Sequence, residues 1–363
     1  MALSVGIAGL PNVGKSTLLN ALTHAGADSS NYPFCTIEQN VGVAAVPDSN
    51  LKKLEEILSP TETNPTTIRF VDIAGLVEGA SKGDGLGNKF LGHIREVDAI
   101  LHVVRCFEDE NVVHATGKPD PVRDVEIVET EFLLADLETA QRGLDKWGNA
   151  ARTGVKGACK EEQAAFARVV DGFGEGIPLR AMDLQLDERE ILAEARFLTA
   201  KPGLYLANTG EDDPRGEGDL ASALREAKGA ERVLPVSVLI EEEISELAPE
   251  EQGEFLREMG LEETALNLVV NACYRLLDLI TFYTIANDKL SAWQLLRGGT
   301  AAQAAGKIHS DMEQGFIRAE VMAQGDLLRL GNRHALHDQG LIHTVGRDHV
   351  VEDGDVLHIH FKA

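Results

Sequence analysis

Residues 9–16 read Gly-Leu-Pro-Asn-Val-Gly-Lys-Ser, and Thr17 follows. This is the G-x-x-x-x-G-K-[ST] pattern of a phosphate-binding loop, which works only between a strand and a helix. The flanks supply both. Residues 3–8 are an apolar run of strand length, and residues 15–25 place Leu18, Leu19 and Leu22 on one side of a helix. The glycines let main-chain N–H groups turn inward onto phosphate oxygens, and the helix N-terminus adds positive potential there. Lys15 can reach the terminal phosphates, and the Ser16 hydroxyl can ligate Mg²⁺.

A second motif, Asp72-Ile73-Ala74-Gly75, closes the apolar strand 68–73 and fits D-x-x-G. Asp72 would hold Mg²⁺, directly or through water, and the Gly75 N–H would face the γ-phosphate. Between the motifs, Thr36 in the polar loop 28–40 is the candidate switch threonine, ligating Mg²⁺ only while the γ-phosphate is present; the alternative is an ordinary loop threonine. Strands at 41–46, 68–73, 99–106, 203–207 and 233–238 alternate with helices, one of them capped by Asp48 and another at 90–97. The alternation predicts an α/β fold with a parallel sheet covered on both faces.

At 363 residues the chain exceeds one compact core. The expected division is a nucleotide domain in two parts, 1–124 and 201–277, with an insertion at 125–200 and a C-terminal module at 278–363. In the insertion, Leu133, Leu137, Ala140, Leu144 and Trp147 form a heptad-like stripe, and Ile191, Ala195 and Leu198 repeat the spacing. A helical hairpin is expected there. The final module, one helix at 301–308 amid short strands, suggests a β-grasp arrangement. Residues 241–263 carry ten Glu and one basic residue, the pattern of a solvated helical face.

The net charge of −25 excludes a nucleic-acid-binding surface over the whole molecule. A local reversal remains: residues 142–168 hold six Lys/Arg and three Asp/Glu, either a solvated helix tip or a binding patch. No apolar run approaches the ~18 residues needed to span a bilayer, and the N-terminus lacks a basic leader. The four cysteines are scattered, as expected of reduced thiols in a cytoplasmic protein without membrane partners.

Two positions depart from common GTPases. Leu76 follows Gly75 where a Gln often orients the attacking water. His114 is one candidate for the missing catalytic group, against the alternative of an exposed loop histidine. Asn12 could instead contribute by holding a monovalent cation such as K⁺. At the base site the chain reads Asn208-Thr209-Gly210-Glu211 in place of N-K-x-D. Glu211 is one methylene longer than Asp, so two-point guanine recognition is not expected. The stretch 235–237, ending in Ser237, could supply the last base-contacting loop.

These motifs, with Asn31-Tyr32-Pro33-Phe34-Cys35-Thr36, His102-Val103-Val104-Arg105-Cys106-Phe107 and Ala304-Ala305-Gly306-Lys307-Ile308-His309, resemble the YchF/Obg-like ATPase family over essentially the whole chain. The resemblance implies a P-loop NTPase G domain, a helical hairpin insertion and a β-grasp TGS domain. It implies ATP hydrolysis in preference to GTP, with Mg²⁺ on Ser16 and Thr36. Residues Asn12, Val13, Gly14, Lys15, Ser16 and Thr17 would cradle the phosphates, and Thr209 would lie beside adenine. It further implies association with the ribosome, as large subunit or 70S particle, and a role in translation or stress response. An rRNA contact would then fall on the basic part of the insertion. The open alternatives are an Obg-type GTPase and a nucleotide-binding adaptor with incidental hydrolysis.

Overall fold

The computed structural model describes residues 3–25, 40–73, 86–115, 117–152, 159–259, 261 and 263–362. The chain opens with β1 (Ser4–Ala8), α1 (Lys15–Ala25), β2 (Val41–Ala45), α2 (Ser49–Leu58), β3 (Glu62–Asn64), β4 (Thr67–Asp72), α3 (Leu86–Glu96) and β5 (Ala99–Cys106). Helices α4 (Pro121–Arg152), α5 (Cys159–Gly174) and α6 (Leu186–Ala193) follow. The α/β pattern then resumes with β6 (Gly203–Thr209), α7 (Asp219–Lys228), β7 (Val233–Val236), α8 (Val238–Glu246), α9 (Pro249–Glu258) and α10 (Ala265–Leu276). The remainder is β8 (Leu279–Ala286), β9 (Lys289–Leu296), α11 (Ala301–Ile308), α12 (Ser310–Gln314), β10 (Phe316–Ala323), α13 (Gln324–Leu330), α14 (Arg333–Asp338), β11 (His343–Val345) and β12 (Asp355–Phe361).

The nucleotide-domain strands form a six-stranded sheet in the order β2-β4-β1-β5-β6-β7, with β1, β5, β6 and β7 parallel. Every residue of β5 is buried, which is why this central strand reads as an almost continuous apolar run. Register pairs Arg105 with Asn208 and Cys106 with Thr209, bringing the C-terminal ends of β5 and β6 level. In open parallel sheets that edge is where ligands bind.

The helical insertion forms as expected. Ala140, Ala165, Phe166, Val169, Phe173 and Phe197 make its buried core, with Leu133, Leu137, Leu144 and Trp147 packed against them. Each such large apolar side chain contributes about 1.5–3 kcal/mol on burial. The repeat at Ile191, Ala195 and Leu198 does not lie on one helix. Helix α6 stops at Ala193, Arg196 turns to φ 48°, and Leu198–Ala200 forms a 3-10 turn. The cause is Asp136 of α4, fully buried, whose carboxylate accepts Leu198 N at 2.8 Å and both Thr199 N and Thr199 Oγ1 at 2.7 Å.

Contacts divide the chain into two compact units, Met1–His24 with Glu38–Gly42 and Phe70–Leu266, and Ala25–Ile37 with Val43–Arg69 and Asn267–Ala363. In the second unit a mixed sheet runs β11-β10-β12-β8-β9-β3. Strands β8 and β9 are antiparallel, while β12 lies parallel to β8. Helix α2 joins this unit through Leu51 and Leu54, which pack with Tyr283, Met322 and Leu336. The expected Asp48 cap is present: its Oδ1 accepts Asn50 N and Leu51 N, each at 2.9 Å, and its Oδ2 accepts the Tyr283 hydroxyl at 2.8 Å. The module holds α11 and three further short helices, α12, α13 and α14, where the sequence suggested one. At five to seven residues they are too short for helical periodicity to show. No helix among the described residues is long and apolar enough to cross a membrane.

Candidate nucleotide-binding site

The loop between β1 and α1 is built by backbone geometry that ordinary residues resist. Gly9 has φ 152°, and a Cβ there would sit 2.4 Å from the Val103 carbonyl oxygen of β5. Gly14 has φ 97°, and its Cβ would meet Asn208 Nδ2 at 2.4 Å. Asn12 takes the left-handed conformation at φ 59°, which Asn tolerates better than most residues. Leu10 and Val13 are buried and pin the loop to the core. Helix α1 begins at once, with Leu18 N donating to Gly14 O at 2.9 Å.

Lys15 lies buried in this loop, its Nζ donating to Leu10 O at 2.8 Å. Burial lowers its pKa, and the charge of Asp72 opposes that shift. Ser16 Oγ donates to Asp72 Oδ2 at 2.8 Å. Asp72 is carried there by the end of β4, where Asp72 N bonds Asn40 O and Ile73 N bonds Ile7 O. Its other oxygen, Oδ1, is buried with no hydrogen-bond partner among the described residues. A serine hydroxyl and a carboxylate oxygen left open in this way fit a hard divalent cation such as Mg²⁺. Thr36, Gly75 and Leu76 lie outside the described residues.

At the base side, β6 runs two residues beyond the expected strand, so Asn208 and Thr209 belong to it. Asn208 is a brace. Its Nδ2 donates to Val13 O at 2.9 Å, and its Oδ1 accepts Val238 N at 3.2 Å, tying the phosphate loop to the start of α8. Thr209 and Ser237 are both buried, and neither hydroxyl has a hydrogen-bond partner among the described residues. Glu211 is exposed in the turn after β6.

His114 is not an exposed loop histidine. It is 8% exposed, and its Nε2 sits 2.8 Å from Oδ2 of Asp124 in the first turn of α4. The preceding residue, Val113, accepts Asn12 Nδ2 on its carbonyl at 3.2 Å, so the 107–114 loop touches the phosphate loop directly.

Sequence reasoning missed three residues that hold these parts. Arg105, 1% exposed, donates to the carbonyls of Phe107, Asp109 and Val112. Its signal was available, since a charge inside a wholly buried strand requires a partner. Asp124 is the second. The third is Glu241, placed by expectation on a solvated face. It is buried, and its carboxylate accepts Ala265 N at 2.8 Å and Leu266 N at 3.1 Å at the N-terminus of α10. Periodic charge hid it, because a buried capping Glu and a surface Glu look alike in a Glu-rich run.

Comparison with known proteins shows what the chain is similar to. Residues 4–134 match the family described as "50S ribosome-binding GTPase", and residues 279–362 match the YchF GTPase C-terminal family, described as a protein of unknown function. The chain is 46% identical over 367 residues to "Ribosome-binding ATPase YchF" of Bacillus subtilis, covering all of both chains. It is 47% identical over 365 residues to the protein of the same name from Escherichia coli O157:H7, again covering both completely. The solved Schizosaccharomyces pombe YchF GTPase superimposes with a TM-score of 0.88 at 35% identity, covering 99% of this chain and 97% of that one.

Proposed function

The chain belongs to the YchF family, and we propose that it is a ribosome-binding ATPase that switches with its nucleotide. One observation carries this furthest: Ser16 and Asp72 meet at 2.8 Å beside the buried Lys15, and the second Asp72 oxygen has no hydrogen-bond partner among the described residues. Ser16, Asp72 and Thr36 would hold Mg²⁺, which when bound neutralises charge on the phosphates. Asn12, Val13, Gly14, Lys15, Ser16 and Thr17 cradle the phosphates, Lys15 exchanging the Leu10 carbonyl for phosphate oxygen. The Gly75 N–H meets the γ-phosphate.

Hydrolysis joins a water oxygen to the γ-phosphorus and breaks its bond to the β–γ bridging oxygen, releasing ADP and phosphate. Leu76 has no group to orient that water. His114 takes the role, its imidazole held by Asp124. The Asn12 amide oxygen would hold K⁺ near the phosphates.

ATP is preferred because Glu211 cannot reproduce the two-point guanine contact, while the buried hydroxyls of Thr209 and Ser237 remain available to the base. The partner is the ribosome, as large subunit or 70S particle, in the cytoplasm. Arg152, Lys156 and Lys160 of the insertion are the candidate rRNA contacts. Arg168 of the same basic stretch is already paired with Glu188 at 2.6 Å. Competitive titration of ATP against GTP, with and without ribosomes, tests the proposal. ATP binds more tightly in both conditions, with an affinity that ribosomes change; tighter GTP binding would overturn it.

A further inference from the structure

Arg105 is the penultimate residue of β5, a strand whose residues are all buried, and it ranks among the largest fully buried side chains of the described residues. Its guanidinium donates Nε to Phe107 O at 3.1 Å, Nη1 to Val112 O at 2.9 Å and Nη2 to Asp109 O at 3.1 Å, and its Cζ lies 4.5 Å from the centroid of the Phe107 ring. One planar cation thus gathers the main chain of a whole loop around itself. Only a guanidinium offers donors in that fixed fan; an ammonium is a point charge with a different geometry.

The loop so held is not peripheral. Its next residue, Val113, receives Asn12 of the phosphate loop, and the one after, His114, pairs with Asp124. The exposed side of the loop is folded by Asp109, whose Oδ1 accepts Asn111 N at 2.8 Å. The loop therefore has a buried anchor at its root, contacts to the phosphate loop and α4 at its far end, and little apolar burial between. Val113 itself is 76% exposed.

We infer that Arg105 is a positioning residue for nucleotide hydrolysis, fixing the 107–114 loop so that His114 keeps its place on Asp124, next to the Val113 carbonyl that meets the phosphate loop. It rests on the assignment of His114 to the attacking water. It adds that the precision of that placement comes from beneath the loop. A buried arginine of merely structural value would lower stability and weaken nucleotide binding together. A positioning residue lowers turnover while the phosphate cradle, braced separately by Asn208, still binds.

The test measures kcat, KM and nucleotide affinity for Arg105→Lys, Asp109→Ala, His114→Ala and the double variant Arg105→Lys/His114→Ala. Misplacement of a reacting group by about 1 Å costs on the order of 100-fold, so Arg105→Lys should lower kcat by about 10- to 100-fold with ATP affinity retained. Lysine keeps the charge and does not rescue. Asp109→Ala loosens the same loop from its exposed side, removes no buried charge, and should show the same kcat-selective loss to a smaller degree. The double variant should be no slower than His114→Ala alone. Multiplicative losses in the double variant, or affinity falling in step with kcat, would overturn the positioning role while leaving the His114 assignment intact. Unchanged turnover in His114→Ala would overturn both.

Discussion

Asn208 offers the sharpest test of how the site is assembled. In an N-x-x-E motif the Asn is expected to face the base, yet here both ends of its amide are committed to main chain, to Val13 O at 2.9 Å and from Val238 N at 3.2 Å. Asn208→Ala leaves a buried carbonyl and a buried N–H without that partner. Each such loss costs about 1–3 kcal/mol, so the variant should be destabilised by roughly 2–6 kcal/mol. If about 2 kcal/mol of this goes into loosening the phosphate loop, nucleotide affinity falls about 30-fold. Because the amide braces the loop, ATP and GTP should weaken by the same factor. Asn208→Asp is the isosteric control. It retains the acceptor for Val238 N but sets a carboxylate oxygen against the Val13 carbonyl, so it should be no milder. Urea unfolding and competitive nucleotide titration report the two quantities separately. A shift of more than about fivefold in the ATP:GTP affinity ratio at unchanged stability would show that the amide discriminates the base, and would refute the bracing role.

Two further predictions concern buried ionisable groups. Burial depresses the His102 pKa to about 4, with the Glu129 carboxylate opposing the shift. The unfolded chain binds this proton near pH 6.5. Between those values the unfolded state holds more protons, so stability falls as pH drops through the window, by on the order of 3 kcal/mol in all. His102→Leu should lose less stability than the wild type between about pH 7 and pH 5; equal losses would refute the assignment. Glu241 carries the opposite sign. Its carboxyl pKa is raised by burial, against the two main-chain N–H groups it accepts, so its contribution to stability falls as pH rises from the ordinary carboxyl value through the raised one. Glu241→Ala removes the cap of α10 and should cost about 1–2 kcal/mol. Faster hydrogen exchange at Ala265 and Leu266 is the readout, and unchanged protection there would refute the capping role.

The phosphate loop, the alternating α/β order and the helical insertion were legible because each depends on short-range regularities. Motif spacing, strand-length apolar runs and a heptad-like stripe all survive into the folded chain. What escaped was set by partners distant in sequence. The 3-10 turn at Leu198–Ala200 exists because Asp136, some sixty residues earlier, captures its N–H groups. His114 is buried through Asp124, a residue with no motif to mark it. Helices α12 to α14 are shorter than two turns, so no periodicity reveals them. Residues 43–69 pack with the C-terminal unit although the chain places them between the two phosphate motifs, since the Asp48–Tyr283 bond and the Leu51 and Leu54 contacts span more than two hundred residues.

The buried polar groups fall into two kinds. Arg105, Asp136, Asn208 and Glu241 are all buried, and each directs its side chain onto main-chain N–H or C=O groups. Such groups are satisfied by the protein itself and fix loop geometry. Asp72 Oδ1, Thr209 Oγ1 and Ser237 Oγ are buried and without hydrogen-bond partners among the described residues. Leaving a polar atom buried and unpaired costs about 1–3 kcal/mol, so each such atom calls for a partner. Orphaned atoms also occur singly at Thr63, Glu162 and Gln294, away from any motif. The other three sit at or just past the C-terminal ends of β4, β6 and β7 of one sheet. Asp72 touches Ser16, Thr209 adjoins the Asn208 that holds Val13, and Ser237 precedes the Val238 that Asn208 holds in turn. Of the satisfied groups, Asn208 braces the phosphate loop; of the unsatisfied, Asp72, Thr209 and Ser237 are the groups proposed to meet the cation and the base.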